Sequence, residues 1–105
     1  MDPKPPQAYE DFTARFPSLA EAWTLMRREA EAGPVDVRTL RLVKLGIAVG
    51  CRHEGAVRSA ARRARAEGIP LGEVEQVIAS AASTVGLPAT VAAFGWAASA
   101  WGRTD

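Results

Sequence analysis

Cys51, His53 and Glu54 lie within four consecutive residues, with Arg52 between the first two and Arg58 four residues beyond Glu54. These residue types could together reduce a peroxide. A thiolate attacks a peroxide oxygen and leaves a sulfenic acid, while an imidazole or carboxylate carries the proton. A helix N-terminus and cationic neighbours favour the thiolate. The sequence places Cys51 just ahead of a helix, beside Arg52 and His53. The sulfenic acid must then be reduced by a second thiol. Cys51 is the single cysteine, so that thiol comes from a neighbouring subunit's Cys51, from glutathione or from a partner protein. The competing reading is a small buried cysteine that packs like alanine.

His53 is the single histidine. It is a candidate general base or a group that orients Cys51, against the alternative of a surface histidine near a helix start. Glu54 stands four residues before Arg58, the favourable orientation for a helical ion pair, and it suits a helix N-terminus. Its functional alternative is a proton carrier. Arg52 and Arg58 are the candidate anion-binding residues for a substrate. They belong to a cluster with Arg62, Arg63 and Arg65, which a solvated helix face or salt bridges between subunits also explain. No aromatic residue interleaves the cluster for base stacking. Cys51, His53 and Glu54 crowd one turn without a distant second set of ligands, so no metal and no other cofactor is expected.

The rest of the chain must position these groups. With 105 residues it is one domain, read as a flexible proline-rich lead over 1–8 and a helical domain over 9–105. At this length folding buries about 60–70% of the unfolded surface, so self-association would help the core. The formal net charge of +1 gives no reason to expect nucleic acid or a membrane surface as partner. One cysteine closes no internal disulfide, and a reducing cytoplasm is the natural setting. Met1 to Pro6 has no apolar run and does not read as a signal peptide. Gln76 to Trp101 has no charged residue, but Gly86-Leu87-Pro88 interrupts it. It reads as two helices buried against protein, too broken to span a membrane.

The periodicity is helical throughout and predicts an all-α fold of about five to six helices. Phe12 and Phe16 share one side of a short helix over Tyr9 to Phe16. Pro17 breaks it, and Ser18 with Glu21 makes a capping box for the next, whose stripe is Leu19, Trp23, Met26 and Ala30. Asp36 is the next N-cap. The helix after it has two apolar rows, Leu40, Val43, Ile47 and Leu42, Leu45, Val49, which predict a central helix buried on most of its circumference. A helix over His53 to Glu67 carries Ala56, Ala60 and Ala64 at i+4 spacing, small enough for close helix approach. Gly68 and Pro70 end it. Val74, Val77, Ile78, Ala81 and Val85 form one further stripe. Pro88 opens the last helix, with Val91, Phe94, Ala98 and Trp101 on one face. Trp23, Trp96 and Trp101 read as core or interface anchors.

The strings Leu42-Val43-Lys44-Leu45-Gly46-Ile47-Ala48-Val49-Gly50, Glu54-Gly55-Ala56-Val57-Arg58-Ser59 and Val85-Gly86-Leu87-Pro88-Ala89, in this order and spacing, resemble the carboxymuconolactone decarboxylase family, which includes the alkylhydroperoxidase D proteins. The resemblance covers about Tyr9 to Trp101. It implies an alkylhydroperoxidase D-like bundle of helical hairpins assembled as a trimer or hexamer, with a site near the start of the helix after the core helix. In the peroxidase branch it implies a Cys-x-x-Cys, a histidine four residues later and a glutamate on the core helix. In the decarboxylase branch the histidine remains without the cysteines.

Counted back from Gly68, the family histidine falls on Ala60, the second cysteine on Ala56, the first on His53 and the core-helix glutamate on Arg41. All four are changed. A second register sets Cys51-Arg52-His53-Glu54 against Cys-x-His-Cys and requires two extra residues before Gly68. Three readings follow: an antioxidant thiol-dependent peroxidase built on Cys51, His53 and Glu54; a non-catalytic binding or assembly module; and a lactone decarboxylase.

Overall fold

The computed structural model describes residues 6–102. The described residues are all helix and connection, without a strand. The chain divides near residue 37 into two compact units.

The first unit holds α1, Gln7–Arg15, and α2, Pro17–Glu31. Gln7 and Ala8, assigned above to the lead, already belong to α1. Residues 1–5 lie outside the described residues. The Phe12 and Phe16 rings tilt against each other with centroids 5.1 Å apart. The capping box at Ser18 is not formed. Pro17 takes the first helical position and Phe16 the N-cap, without a side-chain cap. Proline has no N–H to leave orphaned there and its φ is already helical, so the helix starts before Ser18 can cap it. Neither α1 nor α2 has a buried residue.

The second unit holds α3, Val37–Gly50; α4, Glu54–Ala66; α5, Leu71–Ser80; the single turn α6, Ala82–Val85; and α7, Leu87–Trp101. α3 begins directly after Asp36. The one stripe expected from Val74 to Val85 is broken at Ala81, where Ser80 Oγ donates to the Val77 carbonyl at 2.6 Å and the Ala81 N–H to the Ile78 carbonyl at 3.0 Å. Such three-residue bonds tighten the turn and end α5.

The core joins Leu45 and Val49 of α3, Val57, Ala61 and Ala64 of α4, Ile69, Val74 and Ile78, and Ala93 and Ala97 of α7. α4 packs most extensively with α7, and both helices bring alanines to the core, Ala61 and Ala64 from α4 and Ala93 and Ala97 from α7, which suits a close approach of the axes. α3 is therefore not the central helix. Its buried line is Arg41, Leu45, Ala48 and Val49, whereas Val43 and Ile47 are 47% and 59% exposed. The neighbouring helices cover one side of α3, so Val43 and Ile47 of the other apolar row meet solvent. α7 departs in the same way: its buried line is Thr90, Ala93 and Ala97, and Val91 and Phe94 are exposed. Trp96 and Trp101 pack on the core, and Trp23 is exposed. No helix among the described residues is long and apolar enough to cross a membrane.

Candidate functional site

The residues that could do chemistry form the turn between α3 and α4. The Arg52 N–H donates to the Val49 carbonyl at 3.0 Å and the His53 N–H to the Ala48 carbonyl at 3.1 Å. Those bonds make a Schellman closure of α3. The closure puts Arg52 in the left-handed region, with φ of 56°, a position glycine or asparagine usually takes. The Arg52 side chain reaches across to α6, where Nη2 donates to the Val85 carbonyl at 3.2 Å.

Cys51 is exposed, so it does not pack as a buried alanine substitute in this chain. It also does not open a helix. Its N–H donates to the Ile47 carbonyl at 2.9 Å, and it follows the last residue of α3. The nearest helix end is thus the carbonyl end of α3, whose partial charge is negative. Cys51 therefore closes α3 and does not open α4, because the Schellman closure needs two further residues before α4 can begin.

His53 is the N-cap of α4. Its Nδ1 accepts the Ala56 N–H at 3.0 Å. That bond assigns the ring proton of the neutral form to Nε2. With Nδ1 occupied and Nε2 protonated, the neutral ring has no free lone pair for a general base. Gly55 packs close beneath the ring: a Cβ there would come within 3.4 Å of Cε1.

Glu54 starts α4, and Oε2 accepts from Arg58 Nε at 2.9 Å. The pair expected from the i, i+4 spacing is formed. Arg58 Nη1 also donates to Ser99 Oγ of α7 at 3.1 Å. Both ends of the ion pair are substantially solvated, so its worth to stability is about 0–1 kcal/mol. Arg65 donates to the Trp101 carbonyl at the end of α7. Arg52, Arg58 and Arg65 therefore all fasten the hairpin to α6 and α7.

The positions that the family resemblance assigns to function are filled differently. Ala56 and Ala60 pack against the core. Arg41 is 9% exposed, and its Nε donates to Glu67 Oε1 and Oε2 at 3.0 and 2.8 Å. The sequence spacing of 26 residues gives no hint of this pair. The hint is electrostatic: a carboxylate after the last turn of α4 opposes the helix dipole and calls for a cation. Among the described residues no three His, Cys, Asp or Glu side chains are grouped to hold a metal ion.

The model of the carboxymuconolactone decarboxylase family matches residues 17–99. No curated protein and no solved structure is significantly similar to the chain.

Proposed function

The chain belongs to the carboxymuconolactone decarboxylase family, and from that premise we propose that it is a non-catalytic member, a helical binding or assembly module. One observation carries this reading. His53 Nδ1 and the Arg41 guanidinium are each engaged in holding helices, the Glu54 carboxylate is paired with Arg58 on its own helix, and the remaining family positions are the alanines Ala56 and Ala60. Acid–base catalysis needs a group within reach of a substrate proton and free to take it. The module works as a homo-oligomer, a trimer or hexamer being what the family resemblance implies, and in a reducing cytoplasm. The exposed apolar rows Val43/Ile47 and Val91/Phe94 support association.

A specific observation supports a second reading. Cys51 is exposed beside Arg52 and His53, so its thiol is open to a hydroperoxide. Attack would transfer one peroxide oxygen to Sγ, release the alcohol or water, and leave a sulfenic acid for an external thiol to reduce. Steady-state assays with several hydroperoxides, several thiol donors and a muconolactone separate the two. The non-catalytic reading expects no turnover above the thiol background. Turnover that Cys51→Ser abolishes would replace it with the peroxidase reading, and lactone turnover would establish the decarboxylase one.

A further inference from the structure

Arg58, Arg62 and Arg65 follow one another on α4 at spacings of four and then three residues, so they share one face in a row about 10 Å long. Its two ends are fastened to α7. Arg58 Nη1 donates to Ser99 Oγ at 3.1 Å, and Arg65 Nη1 donates to the Trp101 carbonyl. The row therefore runs along the seam between α4 and α7. Arg62 stands between the two tethered residues, half-buried, and among the described residues it has no hydrogen-bond or ion-pair partner.

Like charges at these spacings repel, and little in this part of the fold offsets them. The one carboxylate of α4 is Glu54, already paired with Arg58 Nε. Glu67, just beyond α4, holds Arg41. α7 has no charged side chain. A solvated row of arginines would splay apart to relieve the repulsion, whereas the bonds to α7 keep Arg58 and Arg65 on either side of Arg62. Donors remain unused there: Nη2 of Arg58, Nε and Nη2 of Arg65, and the whole fork of Arg62. Ser99 Oγ accepts from Arg58, which leaves its hydroxyl proton to donate. Guanidinium forks match the paired oxygens of phosphate groups, and three forks over this length offer more than one carboxylate can engage. The face is also not the one that the family resemblance assigns to function. Ala56 and Ala60 precede Arg58 and Arg62 by two residues each, about 160° around the helix.

We propose that Arg58, Arg62 and Arg65, with Ser99, bind the diphosphate group of a small molecule at the α4–α7 seam. A small ligand is favoured over a nucleic-acid backbone because no aromatic residue interleaves the row for bases to stack on. The site goes beyond the non-catalytic reading and does not depend on it, since the seam would be the same in a peroxidase.

Isothermal titration calorimetry of the full chain with inorganic pyrophosphate at low ionic strength tests it. The expected dissociation constant is about 1 mM or tighter. Arg62→Gln is expected to weaken binding by about tenfold or more, because it removes charge-assisted hydrogen bonds. The variant should melt with the wild type, since Arg62 holds no partner in the fold. Lys44→Gln removes the same charge from the exposed face of α3 and is expected to change binding by less than about twofold. Nitrogen-15 NMR of the wild-type chain gives a readout that needs no variant: the Arg62 Nε signal should move as pyrophosphate is added. Absence of both heat and an Arg62 shift at about 10 mM pyrophosphate, well above the weakest affinity expected, overturns the proposal. Equal weakening by Arg62→Gln and Lys44→Gln also overturns it, as a diffuse charge effect. So does a single-stranded oligonucleotide that binds through Arg62 where pyrophosphate does not.

Discussion

His53 Nδ1 sits 3.0 Å from the Ala56 backbone nitrogen and accepts its proton. The same residue donates its own N–H to the Ala48 carbonyl, so His53 closes one helix and opens the next. Its role is thereby the joint of the α3–α4 hairpin, and its place in the sequence next to Cys51 follows from that joint.

Removing the cap should cost stability and nothing specific to a reaction. His53→Ala is expected to destabilise the fold by about 1 kcal/mol, and His53→Asp or His53→Asn to restore most of it, because both side chains cap helices well. Urea denaturation measures the difference. A neutral His53→Ala would mean that the cap is not made in solution.

Arg41 holds Glu67 from a nearly buried position. Arg41→Met should destabilise by roughly 1–2 kcal/mol, less than a fully buried pair would lose, because Glu67 is about one-third exposed. Arg41→Glu, which puts back the carboxylate that the family resemblance implies, should be worse than Arg41→Met because it sets two carboxylates together. Thermal denaturation at low and moderate salt checks the order. Equal stability of the two variants would contradict the pair.

Arg52 adopts a left-handed conformation. Arg52→Gly relieves that backbone cost but loses the bond to the Val85 carbonyl, so it should fall within about 1 kcal/mol of the native chain. Arg52→Val should cost about 1–2 kcal/mol, because a β-branched residue is strained at positive φ. A Val variant as stable as the Gly variant would show that the Schellman turn has rearranged.

Cys51 is solvent-exposed in the isolated chain. A thiol reagent should label it in the native protein at a rate comparable to that in denaturant. Strong protection that disappears on dilution would place Cys51 at a contact between copies.

Much of this was legible in the sequence, and the reasons differ by residue. The α4 boundaries followed from His53 and Gly68, since Gly68 takes the left-handed position after α4 and its neighbour Ile69 returns an N–H to the Ala64 carbonyl at 2.9 Å. The Glu54–Arg58 pair followed from local spacing. Family membership followed from three short strings. What failed depends on the third dimension. Val43, Ile47, Val91 and Phe94 are apolar at helical spacing, and periodicity marks them as a face without saying whether this chain covers it. Cys51 lay next to a helix start in sequence, yet an arginine in place of the usual glycine closes α3 around it. The pattern of residues did not distinguish the end of one helix from the start of the next.

The state of the His53 ring tests the central claim most directly, because that claim is that the hairpin's chemical groups are occupied by structure. Nitrogen-15 NMR of the side chain at a pH where the ring is neutral should show the proton on Nε2, with Nδ1 as acceptor and the Ala56 amide protected from exchange. A ring protonated on Nδ1, with an unprotected Ala56 amide, would free the imidazole for catalysis and contradict the account.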